Sequence, residues 1–388
     1  MTLSPDAPEN FWLALSLVGG LGFKTIRKLQ ERFGSVADVL SRPAQDLKDL
    51  GGISHELALR ISQATQAQSF RMERRLLDES PSTRLLCPES QDFPTRLAQI
   101  STPPSVLYWQ GNLGHLEYPC FAFVGSRRCT AYGRQQTRRL VMEIAEAVPN
   151  AVIVSGLARG IDTAAHEAAL EHNLKTVAVL AGGLRHLYPS ENQNLAESIK
   201  EKGAVISEFP LAVKPLARNF PIRNRVISGV SLGVVVTEAH KKSGANITAA
   251  FALQQNREVF ALPGRADSPS SDGTNRLISR SQAKLVTSGA DILEEFPDLP
   301  TGTLKIQPSL PLTSQSQQVA EGDLPDSHNQ ILKALVQKPF TADDLHAQTS
   351  LEIGNVLSAL VELELMGLVR LHGQTYQLED NISLETRG

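Results

Sequence analysis

The chain has 388 residues, of which 41% are hydrophobic and 20% charged; this suits two or three domains with a sizeable buried core and excludes global disorder. Its formal net charge is −3, so nucleic acid is not attracted by the chain as a whole and would have to be held by local patches. No apolar run approaches the ~20 residues of a membrane span, MTLSPDAPEN has no basic secretory segment, and three cysteines (Cys87, Cys120, Cys129) without a CxxC pair speak against a disulfide framework or a cysteine-rich zinc site and for a reducing cytoplasm.

Residues 1–80 are expected to form a helical module. In LSLVGGLGFKTIRKLQERFG a Gly20-Leu21-Gly22 turn precedes the helical spacing of Ile26, Leu29 and Phe33, and Gly51-Gly52 repeats the arrangement less clearly. Short helices paired around glycine turns resemble helix-hairpin-helix or SAM-like modules, in which turn amides and a helix N-terminus can hold a phosphate. The alternative is a small packing domain with ordinary glycine C-caps.

Residues 81–297 are expected to form an α/β core. The runs FAFVG, AVIVSG, KTVAVLAG, AVISE, LGVVVTEA and REVFALPG are short, apolar and β-branched, and most are separated by helical stretches at 131–148, 159–172, 190–202, 221–231 and 243–256. Such alternation predicts a Rossmann-like, doubly wound parallel sheet covered on both faces. Ligands of such sheets sit beyond the carboxyl ends of the strands, where Gly125-Ser126, Ser155-Gly156, Gly182-Gly183 and Pro263-Gly264 fall. Residues 298–327, rich in Ser, Thr and Pro and without periodicity, read as a linker. Residues 328–380 read as three helices and a hairpin around His372-Gly373, the winged-helix pattern.

Two basic stretches lie near the strand ends. Between 121 and 141 are Arg127, Arg128, Arg134, Arg138 and Arg139 with no acid; between 212 and 242 are Lys214, Arg218, Arg223, Arg225, Lys241 and Lys242 against Glu238. A single charged run is usually a solvated face, but two beside glycine-rich turns favour an anion site. In FVGSRRCTAYG, turn amides, the following helix and Arg127 can meet a phosphate; an ordinary strand–helix turn is the competing reading. In VSGLARGIDTAAHEAAL, Asp162 and His166 stand four apart on a helix and could bind a metal or work as acid and base. With no third ligand motif, the pair reads as structural, with His166 packed on a neighbouring turn. In LARNFPIRNRVISG, Pro221 enters a helix bearing Arg223, Asn224 and Arg225, with Phe220 before it. Arginines beside an aromatic are what single-stranded nucleic acid needs, and few acids stand nearby in the sequence to pair with them.

The motifs GSRxxxxYG (125–133), SGxARGIDxxAH (155–166), YPxxN (188–192), SEFP (207–210), NFPxRNRxISG (219–229), SGxxxTAxxA (243–252), REVFALPG (257–264) and GTNxLI (273–278) occur in this order. Together they resemble the DNA-processing protein A (DprA, or Smf) family over about residues 105–296, and the flanking modules match its usual extensions. The resemblance implies a non-enzymatic protein without metal or cofactor that binds single-stranded DNA as a homodimer. It also implies displacement of single-strand binding protein and loading of RecA recombinase in natural transformation. Carried over, the DNA site comprises Gly125, Ser126, Arg127 and Arg128, Ser155 and Gly156, and Phe220, Arg223, Asn224 and Arg225. Ala217 stands where some members have a lysine, and Lys214 or Arg218 is expected to supply that charge. Arg185 replaces an acid common in the family, SRSQAKLV (279–286) lacks a usual glycine, and the dimer is expected near Leu277 and Ile278.

Two other readings compete. A nucleotide phosphoribohydrolase of the lysine-decarboxylase-like family shares the architecture, but its PGGxGTxxE is missing, and Glu208 and Glu238 have no evident acid–base partner. A winged-helix transcriptional regulator needs basic or amide side chains on its recognition helix. The helix predicted at 351–366 carries Glu352, Glu362 and Glu364, with Asn355 its only strong base-reading candidate, so it is not expected to read DNA. Val356, Leu357, Leu360, Leu363 and Leu365 are expected to form that module's core.

Overall fold

The first residues fold as helices because apolar side chains recur at helical spacing and caps punctuate them. In the computed structural model, which describes residues 7–48, 52–299, 317–320, 325–336, 338–366, 368–372, 375–378 and 382–385, these are α1 (Pro8–Ser16), α2 (Phe23–Phe33), α3 (Val36–Ser41), α4 (Ala44–Lys48), α5 (His55–Ser62) and α6 (Gln68–Asp78). Trp12, Leu15, Ile26, Leu29, Val39, Leu47 and Ile61 form their shared core. Ser35 and Asp38 close a capping box at the start of α3.

This module joins the sheet domain in one unit ending near residue 304, with the rest of the chain forming a second. The ties are specific. The buried Glu73 carboxylate accepts the Leu211 amide at 2.7 Å, and Glu9 accepts the Ser90 hydroxyl at 2.7 Å. Glu79 pairs with Arg185 at 3.2 Å, which gives the arginine that departs from the family pattern a partner.

The sheet domain contains β1 (Arg84–Leu86), α7 (Thr95–Ala98), β2 (Leu107–Gly111), β3 (Cys120–Gly125), α8 (Ala131–Ala147), β4 (Val152–Ser155), α9 (Ile161–Glu171) and β5 (Lys175–Val179). It continues with α10 (Gln193–Lys202), β6 (Ala204–Ser207), α11 (Asn219–Val230), β7 (Gly233–Glu238), α12 (Ala245–Gln254), β8 (Glu258–Ala261), α13 (Asp272–Ser279), β9 (Lys284–Leu285) and α14 (Gly289–Leu293). The strand order is β1-β2-β6-β5-β4-β3-β7-β8-β9. The run from β6 to β9 is parallel, while β2 joins β6, and β1 joins β2, antiparallel. The six apolar runs are thus the central strands, as expected; β1, β2 and β9 extend the sheet beyond them.

Alternation along the strands divides the core. Ala122, Val124, Val154, Val179, Val234 and Val236 pack with Val226, Ile227 and Val230 of α11 and Ala249 and Ala252 of α12. Phe121, Phe123, Ile153 and Val235 pack with Leu140, Val141 and Ile144 of α8 and Ala165 and Ala168 of α9 on the other side. From β3 the chain proceeds outward through β4, β5 and β6, then returns to β7 on the other flank. The crevice beyond β3 and β7 is therefore a topological switch point.

One sequence expectation changes in this unit. The helix carrying the arginines begins at Asn219, not Pro221; Phe220 lies in its first turn, where the missing proline N–H leaves no helical bond unmade. Leu277 belongs to the larger core cluster with the half-buried Ile278 packed against it, and it also borders a surface groove with Lys242, Leu253 and Gln282. Within 279–286, Ser281 adopts the left-handed conformation, φ +53.

The second unit contains β10 (Gln317–Ala320), α15 (Asp326–Leu335), α16 (Ala342–Thr349), α17 (Ile353–Leu365), β11 (Val369–His372), β12 (Thr375–Leu378) and β13 (Ile382–Glu385). β11 and β12 pair antiparallel, β10 and β13 parallel. Most of the expected linker lies outside the described residues, but β10 and the start of α15 fall within its span. Gly373, in the expected hairpin turn, and the side chain of Leu365 also lie outside the described residues. Ile331, Leu332, Leu345, Val356, Leu360 and Leu363 form the core. Leu357, expected there, is exposed, as are Ile353 and Val361, because positions four apart share the opposite face of α17. Among the described residues no helix is long and apolar enough to cross a membrane.

Candidate nucleic-acid interface

A cavity of about 410 Å³ opens beyond β3 and β7. Gly125, Ser126 and Arg127 form one wall, Phe220, Arg223 and Asn224 of α11 another, and His240, Lys242, Ser243 and Thr248 a third; Asp162 also borders it. Six of the twelve sequence-derived site residues therefore converge here.

The wall after β3 is fixed by backbone. The Ser126 amide donates to the Glu238 carbonyl at 2.8 Å, and the Ser126 carbonyl accepts from Ile161 at 3.2 Å. Glu238 is buried beneath the next helix, where its carboxylate accepts both the amide and the hydroxyl of Thr130. Gly160 at φ +79 lets the following loop cross this turn: a Cβ there would lie 2.3 Å from the Ser126 carbonyl oxygen.

Cationic and aromatic groups meet across the cavity. The exposed Arg127 places its guanidinium 4.4 Å from the centroid of the Phe220 ring, and Arg223 lies 5.8 Å from the same centroid. Arg223 is 4% exposed and donates from Nη1 to the Val179 carbonyl at 2.5 Å. Burial pulls its pKa down to about 10, against the favourable charge of Asp162, so it remains a cation at neutral pH. Its Nε has no hydrogen-bond partner among the described residues. Asp162 accepts the amides of Gly156 and Ala158 at 3.1 and 3.3 Å; burial raises its pKa and Arg223 opposes that shift.

The other sequence-derived residues have different places. Gly156 underlies Arg223: a Cβ there would come within 1.8 Å of Nη1, so its small size serves the arginine. Ser155 is turned inward, fully buried, with its hydroxyl donating to the Phe123 carbonyl at 2.6 Å. Arg225 is the clearest correction. It points away from the cavity, donates to the Thr102 carbonyl at 2.6 Å and pairs with the half-buried Glu208; the acid is 17 positions upstream, where a scan of neighbouring sequence does not find it. Burial pushes the Glu208 pKa up to about 7, against the pull of Arg225. Arg128, Lys214 and Arg218 are exposed and do not line the cavity.

His166 is structural, as read from the sequence. It is fully buried, and its Nδ1 lies 2.7 Å from Thr176 Oγ1, whose hydroxyl donates to the Ile153 carbonyl. That leaves Nδ1 as the donor. Burial drives its pKa down to about 3. Among the described residues no group of three or more His, Cys, Asp or Glu could hold a metal ion.

His240, Lys242, Ser243 and Thr248 were not selected from the sequence as site residues. The signal was present: SGxxxTAxxA follows β7 as a strand-end turn and opens α12, the arrangement that marks the other two walls.

Comparison with known proteins gives consistent results. A family profile described as DNA recombination-mediator protein A matches residues 84–297, and one for the DprA winged helix domain matches residues 315–374. Protein Smf of Synechocystis is 33% identical over 96% of this chain and 99% of its own. The X-ray structure of DNA processing protein A from Streptococcus pneumoniae superposes with a TM-score of 0.64 at 35% identity, covering 76% of this chain and 99% of that one. A Helicobacter pylori DNA processing protein A structure, titled for its unique single-stranded DNA binding mode, gives a TM-score of 0.50 at 32% identity over 55% of this chain and 94% of that one.

Proposed function

This chain belongs to the DNA recombination-mediator protein A (DprA/Smf) family, and we propose from that premise that it binds single-stranded DNA in the cavity beyond β3 and β7, in the family's role in natural transformation. The observation that carries the reading is the convergence of Arg127, Arg223 and Lys242 on the cavity at the switch point, with the two arginines against the Phe220 ring. Cations held at strand ends attract the phosphodiester backbone, and a ring among them receives an unpaired base. Duplex DNA keeps its bases stacked and does not present one.

The chemistry is binding, without turnover. Glu208 and Glu238 are committed to Arg225 and Thr130 and do not border the cavity, so the phosphoribohydrolase reading is not favoured. Nor is the transcriptional-regulator reading. The exposed positions of α17 and its N-cap include Glu352, Glu362 and Glu364, with Asn355 as the only amide, so the second unit is proposed not to read DNA.

RecA recombinase and single-strand binding protein are the proposed partners, on the family resemblance, in the cytoplasm. A homodimer is proposed on the same ground. It is proposed around Leu277 and Ile278, where the exposed Leu253 of the same groove would add apolar contact. Binding of single-stranded and duplex oligonucleotides across a salt series tests the reading: preference for the single strand, with a negative salt slope, supports it.

A further inference from the structure

The YPxxN motif at 188–192 takes no part in the cavity, yet it places a second aromatic ring beside the first. Tyr188 is 44% exposed. Its ring centroid lies 6.2 Å from that of Phe220, with the two planes at 77°. The placement is built. Asn192, at the end of the motif, is buried and donates to the Leu157 carbonyl at 2.9 Å and to Thr163 Oγ1 at 2.8 Å, fastening this loop to the one after β4. From the other side, the amides of Gly183 and Arg185 donate to the carbonyls of Val213 and Leu211 at 2.8 and 3.3 Å, lacing it to the loop before α11.

We propose that Tyr188 is a second nucleobase platform, receiving the base next to the one on Phe220; this rests on the single-strand reading above. An exposed aromatic ring beside a cation-lined cavity is a surface on which an unpaired base stacks. Because the two rings are nearly perpendicular, bases lying on both are unstacked from each other. The pair of platforms therefore selects a strand whose bases are free to turn. Tyr188 contributes stacking and no charge, and Arg159 is paired with Glu191.

The test is fluorescence anisotropy with a labelled oligothymidylate across a salt series, using wild type, Tyr188→Ala, Tyr188→Phe, Phe220→Ala, Arg127→Ala and the Tyr188→Ala/Phe220→Ala double variant, with folding checked by thermal melts. Tyr188→Ala is expected to bind about 10-fold more weakly, about 1.4 kcal/mol, with the salt slope unchanged. Tyr188→Phe is expected to bind like wild type, and the double variant to lose the product of the two single effects. Wild-type affinity in Tyr188→Ala, with Phe220→Ala weakened, overturns the inference and leaves the cavity reading standing. A double variant no weaker than Phe220→Ala also overturns it, by making Tyr188 a buttress for Phe220. Unchanged affinity in Phe220→Ala and in Arg127→Ala overturns the cavity reading, and this inference with it.

Discussion

The Arg127 guanidinium lies 4.4 Å from the centroid of the Phe220 ring, within the range of a cation–π contact. The two residues are 93 positions apart, on the loop after β3 and in the first turn of α11, so the contact spans the cavity mouth. It holds the arginine over a surface that a base would use. On the proposed reading, a base stacking on that face would displace the guanidinium and free it to meet the adjacent phosphate.

Arg223 and Arg225 differ by two positions and have opposite roles. Arg225→Ala is expected to lower unfolding stability by about 1–3 kcal/mol, because it leaves the largely buried Glu208 carboxyl without its partner, a loss that protonation of Glu208 limits. Replacing the pair together, as Glu208→Leu/Arg225→Met, is expected to recover most of that loss and to bind single-stranded DNA like wild type. Urea unfolding and a DNA titration of both variants check this; a folded double variant that no longer binds would return Arg225 to the interface.

His166 makes the fold sensitive to acid. Its pKa is about 3 when folded, against an ordinary 6.5, so between these values the unfolded chain binds the extra proton. The stability this histidine contributes is therefore present above pH 6.5 and lost as pH falls toward 3. Glu208, raised to about 7, works with the opposite sign between 4.5 and 7, so the histidine is isolated by comparing wild type with His166→Gln. The stability difference is expected to shift toward the variant by an amount on the order of 1–3 kcal/mol between pH 7.5 and pH 4.5. Urea titrations at both values measure it, and a pH-independent difference would contradict the assignment.

Ser281 ends α13 in a left-handed conformation, φ +53, where its amide donates to Ile278 and that of Gln282 to Leu277, both at 2.9 Å. This is a Schellman closure, which favours glycine. Ser281→Gly is expected to stabilise the protein by about 0.5–1 kcal/mol, read as a rise in the urea midpoint. No change, or a loss, would indicate that the serine relieves the strain in another way.

Removal of the second unit, leaving residues 1–304, is expected to change single-stranded DNA affinity by no more than about twofold, because the acids of α17 repel phosphate and a single amide does not compensate. A large loss of affinity in a folded truncation would assign DNA contacts to the winged helix.

Much of the fold was legible because β3 to β8 are nearly continuous apolar runs and the helices between them carry turn and cap signals. The missed strands are short and mixed: LYWQG of β2 and the two residues of β9 have no pattern to read. The site was half legible. Gly125, Arg127, Phe220 and Arg223 follow from strand-end position and chemistry. The separation of Arg223 from Arg225 needs the helical turn of about 100° per residue together with Glu208, a partner known only from the sheet order. Ser155 and Gly156 were placed correctly at a strand end. Which of them faces the cavity, and which packs inward or under an arginine, depends on contacts across the sheet.

The most direct test of the central claim is the salt dependence of single-stranded DNA affinity in wild type and Arg127→Ala. If Arg127 meets a phosphate at the β3–β7 crevice, the variant binds more weakly and its log–log slope falls in magnitude by about 0.7. A folded Arg127→Ala protein with the affinity and slope of wild type would contradict the account.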